Sequence, residues 1–409
     1  MSSSRQPAQA SARERDGALT ARLLTLVSSG RATSRSELAR ELGVAASTIS
    51  ARVQDLIEAD VVQEVGSGPS RGGRRPRLLQ LKGEGGAVLV ADLGGSHARI
   101  AAMDLTARLS HVSEVAAPVA SGAGPEVALE IVAEAFDALL QQAAGVRVRG
   151  VALALPGPVD VQRQWVESPS RMPGWHRFPV GRWLSERFQV PVLVDNDATL
   201  MAYGEHASAA QPLQHSITVK AGSAIGSGIV VDGSVYRGAD GAAGDFTHAR
   251  VRAAAERPCS CGNTGCLETI ASGAAIVQEL RAHGRQVGDT AAAIALAREG
   301  DPAASTLIRS AGRHLGEVLC TVVNFFNPQA IFLGGGMSTL EPFVAAVRSQ
   351  VYEGSHALAT KHLIIAQAAT GADAGLVGAG RLLLQQVLHT PAASPEHRDP
   401  EIGDLAGHR

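Results

Sequence analysis

The sequence predicts an α/β protein in two parts: a small N-terminal winged helix-turn-helix, then a larger α/β domain built by duplication, with a cleft between its lobes. Three observations carry this. Residues 1–82 are basic and helical in pattern, and the texture changes to strands at residue 86. A unit of strand, glycine-rich turn, strand, tight turn and strand occurs twice, at 86–115 and 215–238. A carboxylate motif at the end of an apolar strand lies between the two units. At 409 residues the chain also exceeds one compact core, so two or three domains are the default.

Charge is divided in the same way. The chain carries −2 overall, but residues 1–82 hold 13 Lys+Arg against 8 Asp+Glu and the remainder 24 against 31, giving +5 and −7. Such asymmetry points to a nucleic-acid-binding end. The opening "MSSSRQPAQASARERDG" has no apolar stretch of the secretory kind, and no run of about 18 apolar residues suggests a membrane span. Three of the four cysteines are bunched, which fits a metal site in a reducing compartment better than a disulfide framework. A cytoplasmic protein with no membrane partner is expected.

Residues 1–16 read as a disordered tail, and the winged helix-turn-helix is expected over 17–82. "TSRSELARELGV" opens with Ser34 and, three residues on, Glu37, a capping box. Leu38 and Leu42 face inward, and Gly43 turns the chain into a second helix from Ala46 to about Ala59. Ile49, Val53, Leu56 and Ile57 recur at helical spacing and form its buried stripe. The opposite face carries Ser47, Ala51 and Gln54, flanked by Ser50 and Thr48; small polar side chains there suit the major groove, and Gln54 can pair with adenine. Ala45 stands where a Ser or Thr cap is expected, at a cost of about 1 kcal/mol. Two short strands, 61–65 and 78–81, then bracket a glycine-rich tip with Arg71, Arg74, Arg75 and Arg77. A wing of this kind puts arginines on phosphates or in a narrow minor groove; the alternative is a solvated basic linker. The order and spacing of both halves favour DNA binding, by a homodimer on a palindromic site.

In the first strand unit, Asp92, Gly94, Gly95 and Ser96 occupy the turn. Bare backbone N–H groups there can approach phosphate oxygens, and Asp92 can orient Mg²⁺. The second unit has Gly222 and Ser223 at the same place. A third cluster, "AIFLGGGMS" at 330–338, follows a long apolar helix and a buried strand, a natural seat for the adenosine end of a nucleotide. Between the first two units the strand Val190–Val194 runs into Asp195-Asn196-Asp197. Asp197 is placed to act as general base toward a sugar hydroxyl, with Asn196 as a hydroxyl partner. The competing reading is that Asp197 caps the next helix.

His248, Cys259, Cys261 and Cys266 offer one imidazole and three thiolates at spacings that suit a structural zinc ion. Four protein ligands leave no open position for a catalytic water. The flanks are not basic enough for a DNA-reading finger, and Cys320, alone in an apolar helix, reads as core.

With Gly244-Asp245-Phe246-Thr247-His248 followed by "CSCGNTGCLE", the chain resembles the ROK family (repressor, open reading frame, kinase), in its transcriptional-regulator branch, over about residues 17–388. The resemblance implies a two-lobed ATPase domain of the actin and hexokinase type over 83–388. Lobe 1 would span about 83–199 plus 375–388 and lobe 2 about 200–374, with a disordered tail at 389–409. It implies sugar binding by Asn196, Asp197, His248 and Glu268, with Asp197 the base. It implies phosphate loops at Asp92, Gly94, Gly95 and Ser96 and at Gly222 and Ser223, an adenosine segment at Gly334 and Gly335, and zinc shaping the sugar pocket. Departures from the family pattern are Ser96-His97 for Thr-Lys, Ser223-Ala224 for Thr-Gly, Asp245 for Glu, and Ser170 and Thr199 for asparagines. These favour a sugar-responsive DNA-binding regulator, a repressor in the family's usual manner and a homodimer or homotetramer. The alternative is an ATP- and Mg²⁺-dependent sugar kinase that also binds DNA, since catalysis needs tighter geometry than binding. A pure scaffold would leave Asp197 and the metal ligands without purpose.

Overall fold

The computed structural model describes residues 19–20, 22–24, 26–28, 30–68, 75–95, 97–117, 119, 123–143, 145–170 and 172–389. They divide into two units: the residues up to Leu81 together with those after Leu384, and Lys82–Leu384.

The first unit begins with α1, helical at 19–20, 22–24 and 26–28. It continues through α2 (Arg35–Leu42), α3 (Ala46–Glu58), β1 (Val62–Ser67) and β2 (Arg77–Leu81). Leu23, Leu38, Ile49 and Val53 are fully buried, so the helical periodicity of the sequence is the core of this small unit. Ser34 caps α2 by accepting from the Glu37 N–H. Glu37 answers by accepting from Thr33 N at 3.0 Å, one residue earlier than the simplest capping box. Gly43 ends α2 with φ +65°, and Ala45 stands at the N-cap of α3 with no side-chain hydrogen bond. Ile57 is half-buried rather than buried. The two strands pair antiparallel from Val62 with Leu81 to Ser67 with Arg77, forming the wing stem. Leu79 N donates to Thr33 O at 2.6 Å and ties that stem to the start of α2.

The second unit contains the duplication. In its first half β3 (Ala87–Leu93), β4 (His97–Asp104), β5 (Leu109–Ala116), β6 (Val148–Leu155) and β9 (Val192–Asn196) form one sheet in the order β5-β4-β3-β6-β9. Helices α4 (Pro125–Gln142) and α5 (Val180–Phe188) and the ribbon of β7 (Val159–Asp160) and β8 (Trp165–Val166) complete this half. Helix α6 (Asp197–Ser208) leads to the second sheet. That sheet comprises β10 (Ser216–Ala221), β11 (Ile225–Val231), β12 (Ser234–Tyr236), β13 (Ala330–Gly334) and β14 (Ile364–Gln367), in the order β12-β11-β10-β13-β14. Numbered within its own half, each sheet has strand order 3-2-1-4-5, with two antiparallel pairs followed by two parallel ones. The central strand β3 is an almost unbroken buried apolar run, as expected for a strand covered on both faces, while the edge strand β5 is largely exposed.

Helices α7 (Glu268–Ala271), α8 (Gly273–Ala282), α9 (Thr290–Arg298), α10 (Pro302–Phe326), α11 (Glu341–Gly354) and α12 (Ala357–Thr360) belong to the second half. Helix α10 buries Ile308, Leu315, Leu319 and Val323 along one stripe, and Asp301 caps it through Ala304 N at 2.9 Å. The last helix, α13 (Ala374–His389), returns to the first half, where Leu383 packs on Gly150.

Candidate functional site

In both sheets the parallel strands end at one edge, the position where open α/β sheets present their chemistry. On the first sheet Asp92 is level with Ala154, and Ala154 with Asp195, so Asp92, Asp195 and Asn196 gather at that edge. On the second sheet Lys220 is level with Gly334. Asp92 stands two residues before Gly94, and Lys220 two residues before Gly222, so the duplication places a carboxylate in one half and an ammonium in the other.

These groups meet. Lys220 Nζ donates to Asp197 Oδ2 at 2.6 Å, joining β10 of the second half to the start of α6. Asp197 Oδ1 accepts from Ala198 N at 2.7 Å and from Asn196 Nδ2 at 3.2 Å. The helix cap is Asn196, which accepts from Thr199 N at 3.0 Å and donates to Gly157 O at 2.9 Å. The capping role weighed for Asp197 therefore falls to its neighbour. Asp92 Oδ1 is buried and has no hydrogen-bond partner among the described residues. Its carboxylate lies so close to Gly375 of α13 that no side chain fits there. Burial raises the Asp92 pKa, with Asp197 adding to the rise and Lys220 opposing it. Burial works against the Lys220 charge, but Asp197 and Asp92 outweigh it and hold the ammonium above its usual value. A second ion pair, Arg237 with Asp195, lies beside the first and also joins the halves. Sequence reading passed over Lys220, although a lone lysine in the apolar "ITVKAG" was a visible signal.

The glycine segments of the second half converge as well. Gly335, at φ +79°, lies against the backbone of Ala221, where a Cβ would stand 2.5 Å from the carbonyl oxygen. The loop Gly222-Ser223 is fixed from outside: Gly273 N donates to Gly222 O at 2.9 Å, Ala274 N to Ser223 O at 3.0 Å, and Ser223 Oγ meets Thr290 Oγ1 at 3.0 Å. In the first half Gly94 and Gly95 form the β3–β4 turn, closed by Gly94 N to His97 O at 2.8 Å. Ser96 lies outside the described residues.

The four metal-ligand candidates come together. One donor atom each from His248, Cys259, Cys261 and Cys266 lies within 4.8 Å of the others, a group able to hold a metal ion. His248 Nδ1 is 3.5 Å from Cys259 Sγ, and Cys261 Sγ is 3.8 Å from Cys266 Sγ. Ligands about 2.0–2.3 Å from one tetrahedral ion stand roughly 3.5–3.8 Å apart, so the donor set fits. The neighbours of these ligands grip the start of β11. Thr247 Oγ1 donates to Ile225 O at 2.9 Å, and the buried Glu268 accepts from Ile225 N at 3.0 Å through Oε2. Ser170 meets Ser260 of the cysteine loop at 3.3 Å.

In the first unit Ser47, Ser50 and Gln54 are exposed on α3, and Gln54 Nε2 donates to Glu58 at 3.1 Å. Arg77 is exposed at the start of β2 in the wing stem, and Arg75 is exposed just before it; Arg71 and Arg74 lie outside the described residues. Glu64 pairs with Arg35 and stands 3.6 Å from Arg77, and the Arg35 hydrogen bond holds its carboxyl below the usual value.

These features define a class of protein: a winged helix-turn-helix in one chain with a duplicated α/β domain that carries a metal-clamp loop. The chain belongs to the ROK family, whose family model matches residues 88–386, while a winged helix-turn-helix DNA-binding model matches residues 22–63. It is 29% identical over 324 residues to the xylose repressor of Bacillus spizizenii, covering 78% of this chain and 82% of that protein. Among solved structures it is similar to a ROK family transcriptional regulator described as a homolog of the E. coli MLC protein. That match has TM-score 0.79 and 25% identity, over 92% of this chain and 98% of the other. A ROK family glucokinase from Streptomyces griseus, in complex with glucose and AMPPNP, matches with TM-score 0.61 and 29% identity, over 73% of this chain and 99% of the other. Among the described residues no helix is long and apolar enough to cross a membrane.

Proposed function

We propose that this protein is a cytoplasmic DNA-binding transcriptional repressor whose hold on its operator is set by a sugar. The observation that carries this reading is the joining in one chain of an exposed polar face on α3, with a basic wing, to a ROK domain, an arrangement shared with a regulator over 92% of the chain. Ser47, Ser50 and Gln54 read base edges, and Arg75 and Arg77, with Arg71 and Arg74 of the tip, hold phosphates. A homodimer matches a palindromic site, and a homotetramer would be a pair of such dimers. Asn196, Asp197, His248 and Glu268 take the sugar hydroxyls. Zinc is the ion that one imidazole and three thiolates suit; bound by His248, Cys259, Cys261 and Cys266, it closes the loop and fixes Glu268. The sugar acts through a difference in affinity between two states of the dimer.

The test is selection of bound duplexes by the zinc-loaded full chain, then titration of the selected DNA complex with pentoses, hexoses and amino sugars. One sugar is expected to weaken DNA binding at least about tenfold, equivalent to ~1.4 kcal/mol of coupling. Failure to bind any duplex would end the regulatory reading. A second reading, a sugar kinase, is favoured by one observation: Asp92 and Asp197 stand at one edge, in a frame whose glycine segments Gly94-Gly95, Gly222-Ser223 and Gly334-Gly335 would hold ATP. Sugar-dependent ADP release that disappears in Asp197→Asn would establish it.

A further inference from the structure

Asp92 and Asp197 both project from the first half toward the edge where the glycine turns lie, and both are shielded from water. Two carboxylates so placed repel each other unless a cation stands with them. Arg99, cross-strand from Asp92, is turned away, to Asp373 at 2.6 Å and Glu114 at 3.2 Å. The cation at this edge is Lys220, delivered by β10 at the register position that Asp92 occupies on β3. A divalent ion held by Asp92 would face an ammonium already paired with Asp197, the other carboxylate at this edge.

Building on the sugar-sensing reading, we infer that Lys220, paired with Asp197 at the edge that also carries Asp92, is a built-in counter-ion that serves in place of Mg²⁺, so that the domain binds its sugar without a metal–nucleotide complex. The ammonium does two things. It supplies the positive charge that Asp92 would otherwise draw from a metal, and it occupies the Asp197 oxygen that a sugar hydroxyl would use to lose its proton. Mg-ATP does not fit these residues as they stand. The sugar can still be held by hydrogen bonds, because binding asks only for donors and acceptors while phosphoryl transfer asks for a free base and a bridging cation.

The experiment titrates Mn²⁺, as a stand-in for Mg²⁺, into zinc-loaded full-length protein. Unbound Mn²⁺ is followed by electron paramagnetic resonance, and melting temperature is recorded in parallel. Wild type is expected to show no saturable Mn²⁺ site at the Asp92 edge. Lys220→Met and Lys220→Gln are each expected to gain one Mn²⁺ site, at least about tenfold tighter than any binding to wild type, and to be stabilised by Mn²⁺ or Mg²⁺ where wild type is not. The gain disappears when Asp92→Asn is added. Two results overturn the inference. One is a wild-type Mn²⁺ site that Asp92→Asn removes, which can be read even if neither Lys220 variant folds. The other is wild-type binding of Mg-AMPPNP that the Lys220 variants lose, which would make Lys220 a phosphate ligand. Sugar binding by wild type, measured by calorimetry, stands apart: its absence would fail the sensing reading without touching the metal result.

Discussion

At the scale of single residues, Arg237 and Asp195 make the most exposed bet. Asp195 is buried on β9 and has its charge met by Arg237, which follows β12 in the other half. Burial raises the Asp195 pKa and Arg237 opposes that rise. Removing one partner of a buried pair typically costs about 3–5 kcal/mol, and Arg237→Met is expected near 3 because the arginine is itself partly exposed. With Arg237 gone, the folded-state pKa of Asp195 climbs further above its unfolded value. A group with that sign holds its proton more tightly when folded, so stability is regained as pH falls through the folded value. Urea unfolding should therefore show the Arg237→Met deficit shrinking from pH 7 to pH 5, and shrinking at pH 7 when Asp195→Asn is added. A deficit that ignores both would mean the pair contributes packing and no charge compensation.

At the scale of elements, the cysteine loop and β11 behave as one device. The metal ligands His248 and Cys266 stand one and two residues from Thr247 and Glu268, and those two side chains hold the carbonyl and the amide of Ile225. Ile225 is the first residue after the Gly222-Ser223-Ala224 turn. Loss of metal should be felt at that turn, some distance along the chain from any ligand. An intramolecular hydrogen bond is worth about 0.5–1.5 kcal/mol net, so in Cys261→Ser the Ile225 amide should exchange about two- to tenfold faster, with metal content lost in parallel. Unchanged exchange in metal-free protein would separate the clamp from the turn. The ligands themselves were legible in the sequence, because three lie within one short loop and their spacing is local. The strand units were legible for the same reason: alternation and glycine turns are near-neighbour patterns. The Glu268–Ile225 and Lys220–Asp197 contacts were not, since each depends on the packing of a helix start against a strand distant in sequence. Asn196 as the cap of α6 was also hidden, because Asn and Asp are equally good caps and only the backbone geometry chose between them.

At the scale of the whole molecule, the division of charge matters most. Residues 1–82 carry +5 and the remainder −7, so the basic segment provides what attraction the chain has for a polyanion. How much of that charge is available on the wing depends on local ion pairs, and the structure separates two of its arginines. Arg77 stands 3.6 Å from Glu64 and is partly neutralised, whereas Arg75 is exposed further toward the tip. Each phosphate that a side chain neutralises adds about 0.9 to the slope of log affinity against log salt. Arg75→Ala should lower that slope by close to this amount. Arg77→Ala should lower it by less, because Glu64 already spends part of its charge and is left with Arg35 when Arg77 is removed. Fluorescence anisotropy on a fixed duplex from about 50 to 200 mM salt measures both. Equal slopes for wild type and Arg75→Ala would take Arg75 off the phosphates.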